Sequence, residues 1–273
     1  RAMDGYKDLG MAHEYIFQPI RDALTQETHT LNATFSELND MVRRIYGTDK
    51  PRFLEQTIEL DIPMRDINWN ISASGRKWKL TRDQVIAAVL NNGNDGNFQR
   101  LKDGWHLTDT ECQMFVDALS AQDVQFVQGV WDLFESLRPM VKATHELMTG
   151  VTPQWVEARP LETKHGVLRG GYYPIVTDTR YSQRAAQQQE LEQLMSTVPL
   201  DYLSGSTKHG HRKERADSVK GRPPLLSLKV IDRHLMTVIH DASLAPAVRD
   251  VNKIIHHPLI TDAIKQALGD EKN

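Results

Sequence analysis

The sequence predicts a mainly α-helical protein, a multi-helix, bundle-like domain with two small β elements. Apolar residues recur at spacings of three and four towards both ends of the chain, as in helices with one buried face. Three helix-capping signals fall in the middle. Glycine and proline crowd into the segment that follows, so a small irregular β-hairpin insertion is expected at about residues 151–176. A further short hairpin is expected at about residues 66–80.

The composition suits a globular domain and argues against several function classes. The chain has 273 residues, 40% of them hydrophobic and 25% charged. The length suits one large domain, and we expect residues 1–273 to form it. Because position 1 is not methionine, we also expect the chain to be a fragment of a longer protein. A net charge of -3 provides no global positive field for nucleic acid. The single cysteine, Cys112, excludes an internal disulfide and a thiolate zinc cluster. No membrane-spanning segment, metal or cofactor is predicted.

The first predicted element is a long helix over Tyr6–Tyr46. Its apolar residues include Leu31, Phe35 and Leu38, which lie on one face at helical spacing. Gly47 is a suitable terminator, because glycine readily takes the backbone conformation that ends a helix. We interpret this element as a structural helix that packs antiparallel to another.

Residues 51–80 alternate between apolar and polar side chains, a pattern typical of short strands. T-I-E-L-D-I and I-N-W-N-I-S-A-S-G-R-K-W-K-L both alternate, and the S-G pair marks a turn. Trp69 and Trp78 are then expected on one side. Packing in the core or at an edge is the favoured role for them. Stacking on nucleic-acid bases, with basic residues nearby, is the alternative.

Three capping signals predict helix starts at Thr81, Thr108 and Ser120. In each, a hydroxyl accepts a hydrogen bond from an early amide, and a side chain three residues later reaches back. The third helix is expected to run to about Met148 with a kink at Pro139. The run N-N-G-N-D-G-N between the first two signals predicts turns in which asparagine side chains bond nearby backbone. Calcium binding is the disfavoured alternative, because the loop has one aspartate and no glutamate.

Residues 150–178, which we call the strap, are poor in helix signals. An irregular hairpin turning at Lys164–Gly166 is predicted, folded against the helices. Gly170 and Gly171 suit positions where a side chain would clash. The strap also carries residues for a polar pocket, in which a histidine near carboxylates serves acid–base chemistry. No nucleophile motif accompanies them, so catalysis is disfavoured. These candidates are Glu157, Arg159, His165, Arg169, Tyr172 and Tyr173.

Residues 204–224 are predicted to form a basic mobile loop, which follows a glutamine-rich helix at residues 180–197. Residues 208–222 contain six basic and two acidic side chains. A solvated connector is the favoured interpretation, and non-specific contact with nucleic-acid phosphates is the alternative. The side chains that would make this contact are Lys208, Arg212, Lys213, Arg215, Lys220 and Arg222.

The C-terminal region, residues 226–268, returns to helical spacing. A buried stripe runs from Leu228 to Ile239. Two short helices are expected after it, at Ala245–His256 and Leu259–Leu268. Pro246 then lies in a first turn, where proline is tolerated. The histidines of this region do not converge as a zinc site requires.

Four stretches resemble one known family, the large polyvalent proteins of bacteriophages and prophages. The likeness lies in L-T-R-D-Q-V-I-A-A-V-L-N-N-G-N-D-G-N-F-Q-R-L, in D-V-Q-F-V-Q-G-V-W-D-L and in G-V-T-P-Q-W-V-E-A-R-P-L-E-T-K-H-G-V-L-R-G-G-Y-Y-P-I. It continues in the ending H-L-M-T-V-I-H-D-A-S-L-A-P-A-V-R-D-V-N-K-I-I-H-H-P-L-I-T-D-A-I-K-Q-A-L-G. It covers about Leu80 to Gly269, roughly two thirds of the chain, and supplies no catalytic residues.

The resemblance implies a phage-encoded chain that is often packaged in the virion and delivered with the DNA. We therefore expect a non-enzymatic structural or interaction module of a large phage protein, such as an internal or ejected virion protein. Expected partners are other domains of the same long chain, virion proteins and, non-specifically, DNA. Expected locations are the virion and the host bacterial cytoplasm. Two alternatives remain open: a nucleic-acid-binding module using residues 208–222, and an accessory domain of a phage-borne enzyme with a cleft at residues 157–178.

Overall fold

The computed structural model describes residues 10–49, 53–65, 68–181 and 222–262. The mainly α-helical prediction is confirmed, because these residues form seven α-helices and two small antiparallel sheets. The helices are α1 (Gln18–Tyr46), α2 (Arg82–Leu90), α3 (Asp95–Trp105), α4 (Asp109–Asp117), α5 (Ala121–Ser136), α6 (Arg138–Thr149) and α7 (Lys229–Ile255). The strands are β1 (Thr57–Pro63), β2 (Lys77–Thr81), β3 (Leu161–Thr163) and β4 (Gly166–Leu168).

Helix α2 lies at the centre of the fold. Every residue from Val85 to Leu90 is 0% exposed, so this short helix is apolar on all sides and is enclosed by its neighbours. It begins at Thr81 with the predicted capping box. The capping boxes at Thr108 and Ser120 are also confirmed, and they begin α4 and α5. The three capping signals therefore fix where the core helices start.

The long helices α1 and α7 pack against each other along their buried faces. A π-helical turn at His13–Phe17 precedes α1, which ends at Gly47 as predicted. The φ of Gly47 is +67°, in the left-handed region that favours glycine. Between the two helices, His240 Nδ1 lies 2.8 Å from Glu27 Oε1.

The prediction of a separate helix at Ala245–His256 is wrong, because α7 continues through Pro246 to Ile255. The helix predicted at Leu259–Leu268 is helical as far as the described residues extend, to residue 262. Proline has no backbone N–H, so Pro246 cannot donate the helical hydrogen bond to the carbonyl of Ala242, one turn earlier. The hydroxyl of Thr144 in α6 donates to that carbonyl at 2.8 Å. A neighbouring helix thus supplies the missing donor, which sequence periodicity cannot reveal.

The hairpin predicted at residues 66–80 is misplaced on its first strand. The structure pairs β2 with β1, which lies N-terminal to the predicted strand, and Leu60 lies opposite Trp78. The alternating run T-I-E-L-D-I supplies the inner face, since Leu60 and Ile62 are buried. The segment between the strands is a loop in which Trp69 has a φ of +66°, a conformation that does not continue a strand.

The helix predicted from Ser120 to about Met148 is two helices in the structure. α5 ends at Ser136 and α6 begins at Arg138, with Pro139 in its first turn. Pro139 therefore starts a helix instead of kinking one, because a first turn needs no amide from proline. Gly150 ends α6 with a φ of +72°.

The insertion predicted at residues 151–176 is confirmed as an irregular segment with one small hairpin. β3 and β4 pair antiparallel and turn at Lys164-His165, with Leu161 opposite Leu168. Both leucines are buried, so one face of the hairpin packs on the helical core. The helix predicted at residues 180–197 lies almost entirely outside the described residues, as do the basic loop up to residue 221 and the chain beyond residue 262.

Candidate functional site

The asparagine- and glycine-rich loop after α2 is a backbone junction. The carbonyl of Gly93 accepts the amides of Arg159 and Gly171, both at 2.8 Å. The amide side chain of Asn94 donates to the carbonyl of Gly171 at 3.1 Å, and that of Asn97 donates to the carbonyl of Tyr173 at 2.7 Å. The loop and the first turn of α3 therefore hold the strap at two places, through groups that the sequence pattern predicts only as turn formers.

The strap lies so close to α5 that side chains are excluded at its crossing point. A Cβ atom on Gly171 would lie 2.7 Å from Cβ of Trp131, and one on Gly93 would lie 2.4 Å from Cζ2 of the same ring. Gly170 has a φ of +79°, and a Cβ there would lie 2.2 Å from the carbonyl oxygen of Arg159. Three glycines thus let two backbone segments meet around one buried tryptophan.

Beside this crossing lies a half-open cavity of about 540 Å³, which we call the cleft. Helix α5 contributes Gln128, Asp132 and Glu135, which are spaced to share one helical face. The strap contributes residues 155–158 and 169–172. The other lining residues are Trp131, Phe134 and Arg138. Polar and aromatic side chains therefore share the walls of the cleft.

Ion pairs inside the cleft are arranged around two arginines. Arg169 Nη2 lies 2.7 Å and 2.8 Å from the carboxylate oxygens of Asp132. Arg138 Nη1 donates to Glu135 at 2.6 Å, and its guanidinium lies 4.5 Å from the ring centroid of Trp155. Both arginines are thus committed to a carboxylate, and one also covers an indole face.

The structure brings together three of the six pocket residues predicted from the strap. Glu157, Arg169 and Tyr172 line the cleft. The other three lie elsewhere. Arg159 stacks over Phe98 at 3.8 Å and pairs with Asp95 at 3.4 Å. His165 is exposed at the hairpin turn, and the buried hydroxyl of Tyr173 donates to the carbonyl of Ser227 at 3.1 Å.

Sequence reasoning missed the α5 side of the cleft. Gln128, Asp132 and Glu135 form a polar stripe at spacings of four and three on a helix whose other faces are mostly apolar. That stripe is visible in the sequence and could have identified the helical wall. Trp155 carried no such signal, because its role depends on Arg138, which lies in another element.

Two largely buried ion pairs link helix starts to other elements. Glu111 accepts from Arg65 at 3.1 Å and also from the amide of Thr108, its partner in the capping box. Asp123 is bound in the same way by Arg82 and by Ser120. In each case the carboxylate that caps a helix also holds an arginine from outside that helix, which satisfies a charge that would be costly to bury alone.

Three buried groups have a pKa displaced away from neutrality. Burial raises the pKa of the Cys112 thiol to about 12. Burial also raises the pKa of Tyr173, and the pKa of Tyr46 is raised by burial and then by the Asp123 charge that its hydroxyl contacts at 3.1 Å. These groups stay neutral at physiological pH, so none acts there as a thiolate or phenolate nucleophile.

The basic run lies outside the described residues except for Arg222, which is exposed. The chain after it is fixed to the body. The amide of Asp178 donates to the carbonyl of Pro223 at 2.9 Å, and the indole N–H of Trp105 donates to that of Pro224 at 2.9 Å. Nucleic-acid binding by this run therefore stays a prediction from charge.

Comparison with known proteins found no match among family models, curated proteins or solved structures. Among the described residues, no group of three or more histidine, cysteine, aspartate or glutamate side chains is placed to hold a metal ion. No helix within the described ranges combines the length and apolar character needed to cross a bilayer.

Proposed function

We propose that this chain is a non-enzymatic structural and interaction module of a large phage protein, an internal or ejected virion protein. The resemblance over about Leu80 to Gly269 motivates the phage setting. The observation that supports an interaction role is the chemistry of the cleft. Its described lining contains aromatic rings, carboxylates and arginines but no serine, threonine, cysteine, histidine or lysine. Such a wall can recognise a partner, and it holds no serine or cysteine nucleophile beside a histidine base.

The proposed role fits the way the strap is held. Its crossing point is fixed by two amides on one carbonyl and by contacts that exclude side chains. The strap backbone beside the cleft is therefore preorganised, so it loses little conformational entropy when a partner binds. The partners we propose are other domains of the same long chain or virion proteins, in the virion and in the host bacterial cytoplasm after delivery.

Proteomics of purified virions tests this proposal. Peptides of this chain should be found in density-purified particles of the encoding phage and should persist after protease treatment of intact particles. The full-length protein should show no turnover of nucleotides, DNA or cell-wall glycan. Absence from the particles would contradict the virion assignment. Turnover that is lost on replacing Glu157 or Asp132 would contradict the non-enzymatic one.

A nucleic-acid-binding module is the second candidate, and the charge of residues 208–222 supports it. Replacing Arg212, Lys213 and Arg215 by alanine should weaken binding to double-stranded DNA and flatten its salt dependence, because fewer counterions are released. Equal binding by wild type and variant at low salt would remove this candidate.

An accessory domain of a phage-borne enzyme is the third candidate. The observation in its favour is that Glu157, Arg169 and Tyr172 line one cleft. In that case the cleft should bind the substrate of a neighbouring catalytic domain, and Arg169→Ala should raise the KM of the full-length enzyme without changing kcat. A variant with wild-type KM would exclude this role.

A further inference from the structure

One stretch of the strap is extended and has unused backbone groups. Residues 152–160 run without a turn, bend or helix. Within the described part of the chain, the amides and carbonyls of Val156, Glu157 and Ala158 have no hydrogen-bond partner. The exposed backbone of an extended segment is a template for pairing with another strand.

The stretch is held in place at both ends. On one side the amide of Arg159 is bound to Gly93 at 2.8 Å. On the other side the Trp155 ring lies under the guanidinium of Arg138 at 4.5 Å. Because both ends are held, residues 156–158 present their backbone amides and carbonyls in a defined position. This reduces the conformational entropy lost when another strand pairs with them.

The side chains beside these backbone groups favour an incoming strand that carries apolar residues. In an extended segment alternate residues share a face, so Trp155 and Glu157 point to the same side. Trp155 is half-buried and offers an apolar surface. Val156 on the opposite side is 44% exposed. An incoming strand can therefore bury apolar area on both sides.

The net charge of the cleft favours a partner with a positively charged side chain. Asp132 and Glu135 are each neutralised by an arginine. Glu157 is exposed and, among the described residues, has no ion-pair partner. The cleft thus holds one uncompensated negative charge, directly beside the unpaired backbone. A basic side chain opposite Glu157 matches it, and an acidic one is repelled.

We propose that the cleft binds an extended segment of a partner polypeptide, which adds as a strand to residues 156–158. The segment carries a basic side chain opposite Glu157 and an apolar one opposite Trp155, two residues apart. Main-chain hydrogen bonds supply the affinity, and these two side chains supply the specificity. The inference rests on the proposed interaction role and names the chemistry of the partner.

The test uses the blocked peptide acetyl-Thr-Lys-Thr-Leu-Thr-amide, added to the full-length protein. Binding is followed by NMR through the indole N–H of Trp155, assigned with Trp155→Phe. We expect saturable shifts. Two changed peptides probe the mechanism: glutamate in place of lysine, and N-methylation of the central amides. N-methylation should reduce affinity at least about tenfold because the strand loses its donors.

Matched variants locate the binding site. Glu157→Gln should weaken binding roughly twofold to fivefold, the range for an exposed ion pair. Glu162→Gln removes an exposed glutamate on β3, outside the cleft lining, and should leave affinity unchanged. Both substitutions are at exposed positions, and unchanged amide spectra will verify that each variant is folded.

No shift of the Trp155 signal up to the solubility limit of the peptide would overturn the inference. So would equal binding by the N-methylated peptide, which would mean that no strand is added. Equal binding by the glutamate peptide would remove the charge preference and overturn the assigned partner chemistry. Detection of the chain in virions is independent of these measurements, so the cleft inference can fail while the proposed function stands.

Discussion

Replacing Gly171 by alanine tests whether the strap and α5 are as close as the structure places them. The added Cβ would lie 2.7 Å from Cβ and 2.8 Å from Cγ of Trp131. The position of the Trp131 Cβ is set by the backbone of α5, so rotation of the ring cannot relieve the 2.7 Å contact. The strap backbone must instead move away from α5, which lengthens the 2.8 Å hydrogen bond from the Gly171 amide to the Gly93 carbonyl.

Two opposing effects set the size of the change. Overpacking of this kind costs about 1–3 kcal/mol. Alanine also restricts the unfolded chain, which stabilises the protein by about 0.4–1 kcal/mol. We therefore expect Gly171→Ala to lower the free energy of unfolding by about 1.5 kcal/mol. Urea denaturation, followed by tryptophan fluorescence and circular dichroism, measures it.

Gly96 provides a control with the opposite expected sign. It lies inside α3, and the nearest atom to an added Cβ is Oδ1 of Asn94 at 3.6 Å, an ordinary contact. Gly96→Ala should therefore stabilise the protein by about 0.5–1 kcal/mol through helix propensity. If Gly171→Ala proved as stable as the wild type, or more stable, the close approach of strap and helix would be refuted.

Three further substitutions test the core. Asp123→Ala leaves the largely buried Arg82 unpaired and removes a helix cap, and it should cost about 3–5 kcal/mol in urea denaturation. Asp132→Ala breaks an exposed pair and should cost no more than about 1 kcal/mol. Thr144→Val removes the donor to the carbonyl freed by Pro246 and should cost about 1–3 kcal/mol, and less in a Pro246→Ala background, where a backbone amide takes over. Cys112 has a folded-state pKa of about 12 against about 8.5 when unfolded. Above pH 8.5 the thiol ionises more readily in the unfolded chain, which stabilises the unfolded state. The free energy of unfolding of the wild type, measured relative to that of Cys112→Ala, should therefore fall by up to about 1.4 kcal/mol per pH unit from pH 8.5 towards 12.

Each of these expectations has a result that contradicts it. Equal costs for Asp123→Ala and Asp132→Ala would mean that the buried pair is no more important than the exposed one. An unchanged Thr144→Val cost in the Pro246→Ala background would show that the hydroxyl does not replace the missing amide. A pH-independent difference between the wild type and Cys112→Ala would show that the thiol is not desolvated.

Local signals predicted several helix ends because their causes are local, although α3 was missed, since its first turn lies in the run predicted to form turns. The capping residues Thr108 and Ser120 bond amides only three positions away, so the pattern and its structural cause lie in the same stretch of sequence. Gly47 and Gly150 end helices for an equally local reason, since both adopt positive φ. Element type is readable wherever the interacting groups are close neighbours in the chain.

The misplaced elements depend on distant partners. α7 passes through Pro246 because Thr144, far away in the sequence, supplies a donor. The first strand of the hairpin lies at β1 because Leu60 and Ile62 find the core there, a competition that alternation alone does not decide. Burial is a property of the assembled protein, so a strand with the right period can lie on either side of a loop.

The cleft was half predictable for the same reason. The strap residues Glu157, Arg169 and Tyr172 stood out because turn formers and charges crowd there. Their counterparts on α5 are separated from them by the whole of α6. The helical wall carried a polar stripe, but nothing in the sequence joined it to the strap. Only the assembled fold shows that the two segments face each other.

The shared carboxylates Glu111 and Asp123 link local and global unfolding. Each holds the first turn of its own helix and a largely buried arginine from another element. The start of α4 therefore cannot fray without breaking its ion pair to the loop after β1, and the start of α5 cannot fray without breaking its ion pair to α2. In hydrogen-exchange experiments the first protected amides of α4 and α5 should open only with these distant segments, as members of one cooperative unit.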